Sequence, residues 1–243
     1  MNCALNIFAF AIVAVLMACR VPPAPMKTVP ERLQQYGEAS RTQLKPHFAQ
    51  AGAAYPPQRL TLVGLKAERV LQIYAADRSG AWKYIRAYPI LSTSGVAGPK
   101  LREGDRQVPE GIYPIELLNP NSRHEISMQI GYPNAFDREQ AEREGRTNLG
   151  GDIMIHGGHT SIGCLAVGDE ASAELFVLTA DTGLSNATVI LSPVDFRTES
   201  NVAETNPLPT WTTNLYLQIK SRLAELPLPK LLSPQPTPHS PLQ

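Results

Sequence analysis

The chain has 243 residues, 43% of them hydrophobic and 18% charged, enough for one sizeable core with appendages or for two small domains. Its 22 basic residues are matched by 22 acidic ones, so the basic excess expected of a nucleic-acid-binding protein is missing. No Gly-x-Gly-x-x-Gly follows a predicted strand, which removes the usual dinucleotide signature.

The chain opens with MNCALNIFAFAIVAVLMAC, uncharged from residue 3 to residue 18. Such a stretch is short for a membrane-spanning helix and suits the apolar core of a signal peptide. Leu16-Met17-Ala18-Cys19 resembles the bacterial lipobox, which would make Cys19 the lipidated residue and tie the protein to a membrane by a lipid anchor. A plain cleaved signal and an uncleaved anchor are the alternatives. VPPAP at 21–25 reads as an extended tether. The expected divisions are a signal peptide over 1–18, a tether and N-terminal helix over 19–58, a main domain over 59–195, and a C-terminal helix with a disordered Pro-rich tail over 196–243. Export would place the protein in the periplasm and leave Cys164 as a thiol with no intramolecular partner.

Residues 29–50 pattern as an amphipathic helix, with Pro30 in its first turn and Pro46 expected to end or bend it. Strands are expected over 59–65, 69–76 and 81–90, the last two joined as a hairpin by Asp77-Arg78-Ser79-Gly80. A loop rich in Gly, Pro and charge spans 92–111. Further strands are expected over 112–119 and 125–132, a charged insertion with a helical turn over 137–151, and a short buried strand over 152–156. A helix over 169–183 would be capped by Asp169 and ended by Gly183. A last strand is expected over 187–193 and a helix over 211–226. The sum is a mainly β domain with inserted helices.

The stretch IMIHGGHTSIGCLAVGD, residues 153–169, carries the chemistry. A buried strand would deliver His156, Gly157 and Gly158 permit a tight turn, and Cys164 follows Gly163. Imidazole activates a thiol by taking its proton or by stabilising the thiolate as an ion pair, and the thiolate then attacks a carbonyl. Backbone N–H groups around Gly163 and Cys164 would serve as an oxyanion hole. The thiol is expected to be partly thiolate near neutral pH. Two other readings exist: a small buried cysteine, and a metal site made by His156, His159 and Cys164. His159 is a second candidate for the base. His47 and His124 read as surface or packing residues.

These residues resemble the L,D-transpeptidase (YkuD-type) catalytic domain family, whose motif sets His-Gly ahead of Ser-His-Gly-Cys. Here the elements are His156-Gly157 and Ser161-Ile162-Gly163-Cys164. GPKLREGDRQVPEGIYPI at 98–115, NPNSR at 119–123, GYPNAFDR at 131–138 and IHGGHTSIGCLAVGD at 155–169 look like the YafK-type subgroup. The resemblance covers about residues 60–195. It implies a β-sandwich-like catalytic domain that needs no cofactor. Cys164 would form a thioester at the L-centre of meso-diaminopimelate in a peptidoglycan stem peptide, with His156 as base and the Gly157 carbonyl orienting it. The subgroup implies hydrolysis of the diaminopimelate–lysine link to an outer-membrane lipoprotein, and the wider family implies transpeptidation. A non-catalytic wall-binding lipoprotein is a third reading. Two positions depart from the pattern: Ile162 replaces the motif histidine, and Ala166 the arginine usual two residues after the cysteine. Ser161, Lys100, Arg102 and Tyr132 are the candidate substrate-binding residues, the cations by pairing with carboxylates.

Overall fold

The computed structural model describes residues 25–200, 202 and 207–229, so Cys19, the signal-like segment and residues 230–243 lie outside the described residues. Helix α1, Val29–Gln50, starts in a capping box: Thr28 takes the Glu31 N–H, and the Glu31 carboxylate takes the Thr28 N–H. Pro46 neither ends nor breaks this helix. Leu44 and Phe48 on either side of it are buried in the main core, and their burial offsets the one helical hydrogen bond that proline cannot donate.

Eight strands form one mixed sheet in the order β3-β2-β1-β8-β4-β5-β6-β7. They are β1 Arg59–Leu65, β2 Val70–Ala76, β3 Trp82–Pro89, β4 Gly111–Ser122, β5 Glu125–Ile130, β6 Met154–His156, β7 Leu165–Ala166 and β8 Ala187–Ser192. The expected sandwich takes the form of a continuous sheet that turns through β4, whose first residues pair with β8 and whose remainder pairs with β5. Register shifts after Ile115 and Asn119 mark where β4 departs from regular pairing.

Strand β1 is buried on both faces, which is why RLTLVGL reads as an apolar run rather than an alternation. Leu60 and Leu62 face the main core with α1 and α3 (Asp169–Thr182). Val63 and Leu65 face a second cluster that Leu215, Ile219 and Leu223 of α4 (Thr212–Ala224) close. The charged insertion folds as α2, Ala135–Arg143, capped by Asn134. The cap expected of Asp169 is absent: Gly168 takes that position with no side-chain bond, and the Asp169 carboxylate accepts the Gly158 N–H at 2.7 Å instead. No helix among the described residues is long and apolar enough to cross a membrane.

Candidate active site

Strands β6 and β7 build the site. They pair in parallel, Ile155 against Leu165 and His156 against Ala166. Ile155 and Leu165 point into the core. Because side chains alternate along a strand, His156, Ala166 and the adjoining Cys164 share the opposite face. Strand β5 pairs on the other side of β6 and sets Ser127 opposite His156.

His156 is 5% exposed. Its Nδ1 lies 2.6 Å from the Gly157 carbonyl oxygen, and its Nε2 lies 3.4 Å from Ser161 Oγ. A carbonyl only accepts, so Nδ1 carries the proton and donates it. In the neutral ring Nε2 is then the unprotonated nitrogen. Burial holds the imidazole below its ordinary pKa, and His124 adds to that, against the Gly157 hydrogen bond.

Cys164 is a free, half-buried thiol. Its Sγ accepts the Met154 N–H at 3.3 Å and donates toward the Asp152 carbonyl at 3.6 Å. Burial pushes the thiol above its ordinary pKa, outweighing the Met154 N–H. This reverses the expectation of a partial thiolate: the desolvation that a glycine-rich sequence does not reveal favours the neutral thiol. The two side chains make separate hydrogen bonds and none to each other, and both shifts favour the neutral forms over a thiolate–imidazolium pair.

Gly163 is buried at φ +82°, a conformation that glycine adopts without a Cβ penalty. Its N–H, expected as an oxyanion donor, is already given to Ser94 Oγ at 2.7 Å. The Ser161 N–H goes to Ser92 Oγ at 3.1 Å. Lys100 and Tyr132 are not the open substrate contacts expected of them. Lys100 is 6% exposed and donates to the Arg102 carbonyl and to Asp105 at 2.8 and 2.7 Å. The buried Tyr132 hydroxyl lies 3.2 Å from the carbonyl oxygens of both Lys100 and Leu149. Both residues brace the loop from within. Arg102 is exposed and, with Arg146, lines a cavity of about 440 Å³ whose walls include neither Cys164 nor His156. His159 is exposed, and no three potential ligands are grouped to hold a metal among the described residues.

Sequence reading missed three contributors. His124, read as a surface or packing residue, stacks on His156 with ring centroids 4.2 Å apart. Ser92 and Ser94 sit in what reads as a long loop or pair of turns, with nothing to single them out. Their role depends on a bridge between Ser92 and Ala166 that no local pattern announces. A cavity of about 840 Å³ opens beside His124 and Gly158, between α1 and α3.

A family model described as the L,D-transpeptidase catalytic domain, YkuD, matches residues 59–190. YafK of Escherichia coli strain K12, whose name assigns it provisionally to the L,D-transpeptidases, is 38% identical over 113 residues, 46% of this chain and 43% of that protein. The match therefore spans less than half the length of that relative. Among solved structures, the helical cell shape determining protein Pgp2 from Campylobacter jejuni aligns over 60% of this chain and 50% of its own, at 20% identity and TM-score 0.46. L,D-transpeptidase 1 of Mycobacterium tuberculosis aligns over 55% and 62%, at 12% identity and TM-score 0.33.

Proposed function

Because the chain belongs to the L,D-transpeptidase (YkuD) catalytic domain family, we propose that it is a cysteine acyl-transfer enzyme of peptidoglycan that hydrolyses the diaminopimelate–lysine link between the wall and a lipoprotein. The observation that carries the reading is the hydrogen bond from His156 Nδ1 to the Gly157 carbonyl. It fixes the tautomer and leaves Nε2 unprotonated on the face that also carries Cys164.

The mechanism follows from that pair. Substrate binding brings a stem-peptide carbonyl, at the L-centre of meso-diaminopimelate, against Sγ. Nε2 removes the thiol proton as Sγ attacks, so charge develops only as the new bond forms. The tetrahedral oxyanion needs donors, and with the Gly163 N–H engaged by Ser94 the Cys164 N–H is the backbone donor assigned to it. The imidazolium returns its proton to the departing lysine amine as the C–N bond breaks, leaving a Cys164 thioester. Water, giving a proton to Nε2, attacks the thioester; the carboxylic acid leaves and Sγ regains its proton. Transpeptidation would share the acyl-enzyme and replace that water with an amine.

The departures at Ile162 and Ala166 support hydrolysis. Ile162 is 71% exposed and Ala166 is buried beside His156, so neither offers a charge to hold a second peptide. The proposed setting is the periplasm, with Cys19 as a lipid anchor. The test incubates the full chain with sacculi bearing covalently attached lipoprotein and, separately, with tetrapeptide muropeptides. Mass spectrometry of the products is expected to show lipoprotein with a free lysine side chain, absent with Cys164→Ala. Diaminopimelate–diaminopimelate dimers with loss of D-Ala, and no released lipoprotein, would replace hydrolysis by transpeptidation.

A further inference from the structure

We propose that Ser92 and Ser94 are positioning residues that hold the Cys164 turn in its attacking geometry, through two hydroxyl oxygens that accept the N–H groups of Ser161 and Gly163. The proposal rests on Cys164 being the nucleophile.

The spacing is matched on both sides. Ser92 and Ser94 are two residues apart, as are Ser161 and Gly163, and the distances are 3.1 and 2.7 Å. The contact continues a main-chain pairing. The Ser92 backbone bridges Ala166, with Leu91 N to Ala166 O at 2.8 Å and Ala166 N to Ser92 O at 3.1 Å. Beyond that bridge the chain through Cys164 leaves the strand at Gly163, at φ +82°, and its N–H groups lose strand partners. Side-chain hydroxyls take over the ladder where the backbone stops. The Ser94 hydroxyl donates its own proton to the Arg106 carbonyl at 2.7 Å, so one lone pair stays aimed at Gly163.

The clamp has a rigid base. The Lys66 ammonium shares its three protons among the carbonyl oxygens of Val96, Gly98 and Val108, at 2.8, 3.2 and 3.2 Å, and the Glu110 carboxylate at 2.8 Å. The other Glu110 oxygen accepts the Tyr216 hydroxyl of α4 at 2.8 Å. The loop that carries Ser94 is therefore tied at both ends to one buried ion pair, and through it to a helix outside the segment the family model matches.

The test compares the full chain with Ser94→Ala and Ser94→Thr. Alanine strands the buried Gly163 N–H, whereas threonine keeps the oxygen. Ser94→Ala is expected to lower kcat about tenfold with KM unchanged, the effect of one lost hydrogen bond felt in the attack step. Iodoacetamide labelling of Cys164 is expected to move the other way. A loosened turn lets water reach the thiol, so the labelling profile shifts to lower pH and labelling near neutrality quickens several-fold. Threonine should restore both. A general loss of stability would also expose the thiol, but only in proportion to the unfolded fraction, so kcat and labelling are both read well below the Tm of each variant, where the chain is folded. Wild-type labelling and kcat in Ser94→Ala, or a Ser94→Thr variant as impaired as Ser94→Ala, would overturn the proposal. Should the wild type turn over neither substrate, the reading of function fails, and the labelling profile still decides the clamp.

Discussion

His124 lies face to face with His156, the ring centroids 4.2 Å apart and the planes 12° from parallel. The stack and the Gly157 carbonyl together fix the plane and the tautomer of the His156 ring. His124→Ala is expected to cost roughly three- to tenfold in kcat/KM, the range of one aromatic pair. His124→Phe, which keeps a ring of similar width, should retain most of the activity. Steady-state kinetics of the two variants check this, and equal losses in both would show that the stack is not what matters.

The pH profile follows from two opposed shifts. Burial lowers the His156 pKa and raises that of Cys164. Nε2 accepts a proton only above the imidazole pKa, and the imidazolium can protonate a leaving amine only if the thiol proton is there to be transferred. The kcat/KM plateau should therefore begin below about pH 6.5 and persist beyond about pH 8.5, the ordinary values of the two groups. An ion-pair site would show the order reversed, with labelling of a thiolate well below neutrality.

Lys66 and Glu110 form a buried pair, their side chains 8% and 0% exposed. Lys66→Met leaves the carboxylate in the core with its cation gone. The expected loss is about 3–5 kcal/mol in urea unfolding, the range for breaking a buried pair from one side. A loss under about 1 kcal/mol would mean that water reaches Glu110.

Asp137 gives a stability prediction with a sign. Burial pushes its carboxyl up to about 6, against the hydrogen bonds from Asn134 and Tyr113. The unfolded value is near 3.9, so between those values the folded chain holds a proton that the unfolded chain has lost. The stabilising contribution is full below about pH 3.9 and is lost as pH rises through about 6. Asp137→Asn keeps an oxygen for the Asn134 N–H and removes the titration, so Tm should vary less across this window than in the wild type. An unchanged slope would assign the dependence to another group.

Much of this was legible in sequence because the signals were local. The α1 bounds and β1 followed from a proline-led helical pattern and a β-rich run, and both match the observed spans. His156 at a strand end and Gly163 before Cys164 were equally local. What was hidden depended on register or solvation. Strand β7 is two residues long and takes its meaning from β6 and Ser92. The stacking of His124 requires β5 to pair with β6, and the fate of Lys100 requires a loop that folds back on Asp105. The thiol's raised pKa comes from burial, which no spacing of glycines encodes.

In the proposed reaction Cys164 attacks with His156 as its base. The most direct test is intact-protein mass spectrometry of the full chain mixed with a muropeptide that carries a lysine peptide amide-linked at the L-centre carbonyl of its diaminopimelate, and quenched in acid. A covalent adduct with the mass of the acyl group is expected, mapped to Cys164, missing in Cys164→Ala and slowed by about 10²-fold or more in His156→Ala. An adduct that forms equally fast without His156, or turnover that persists without Cys164, would contradict it.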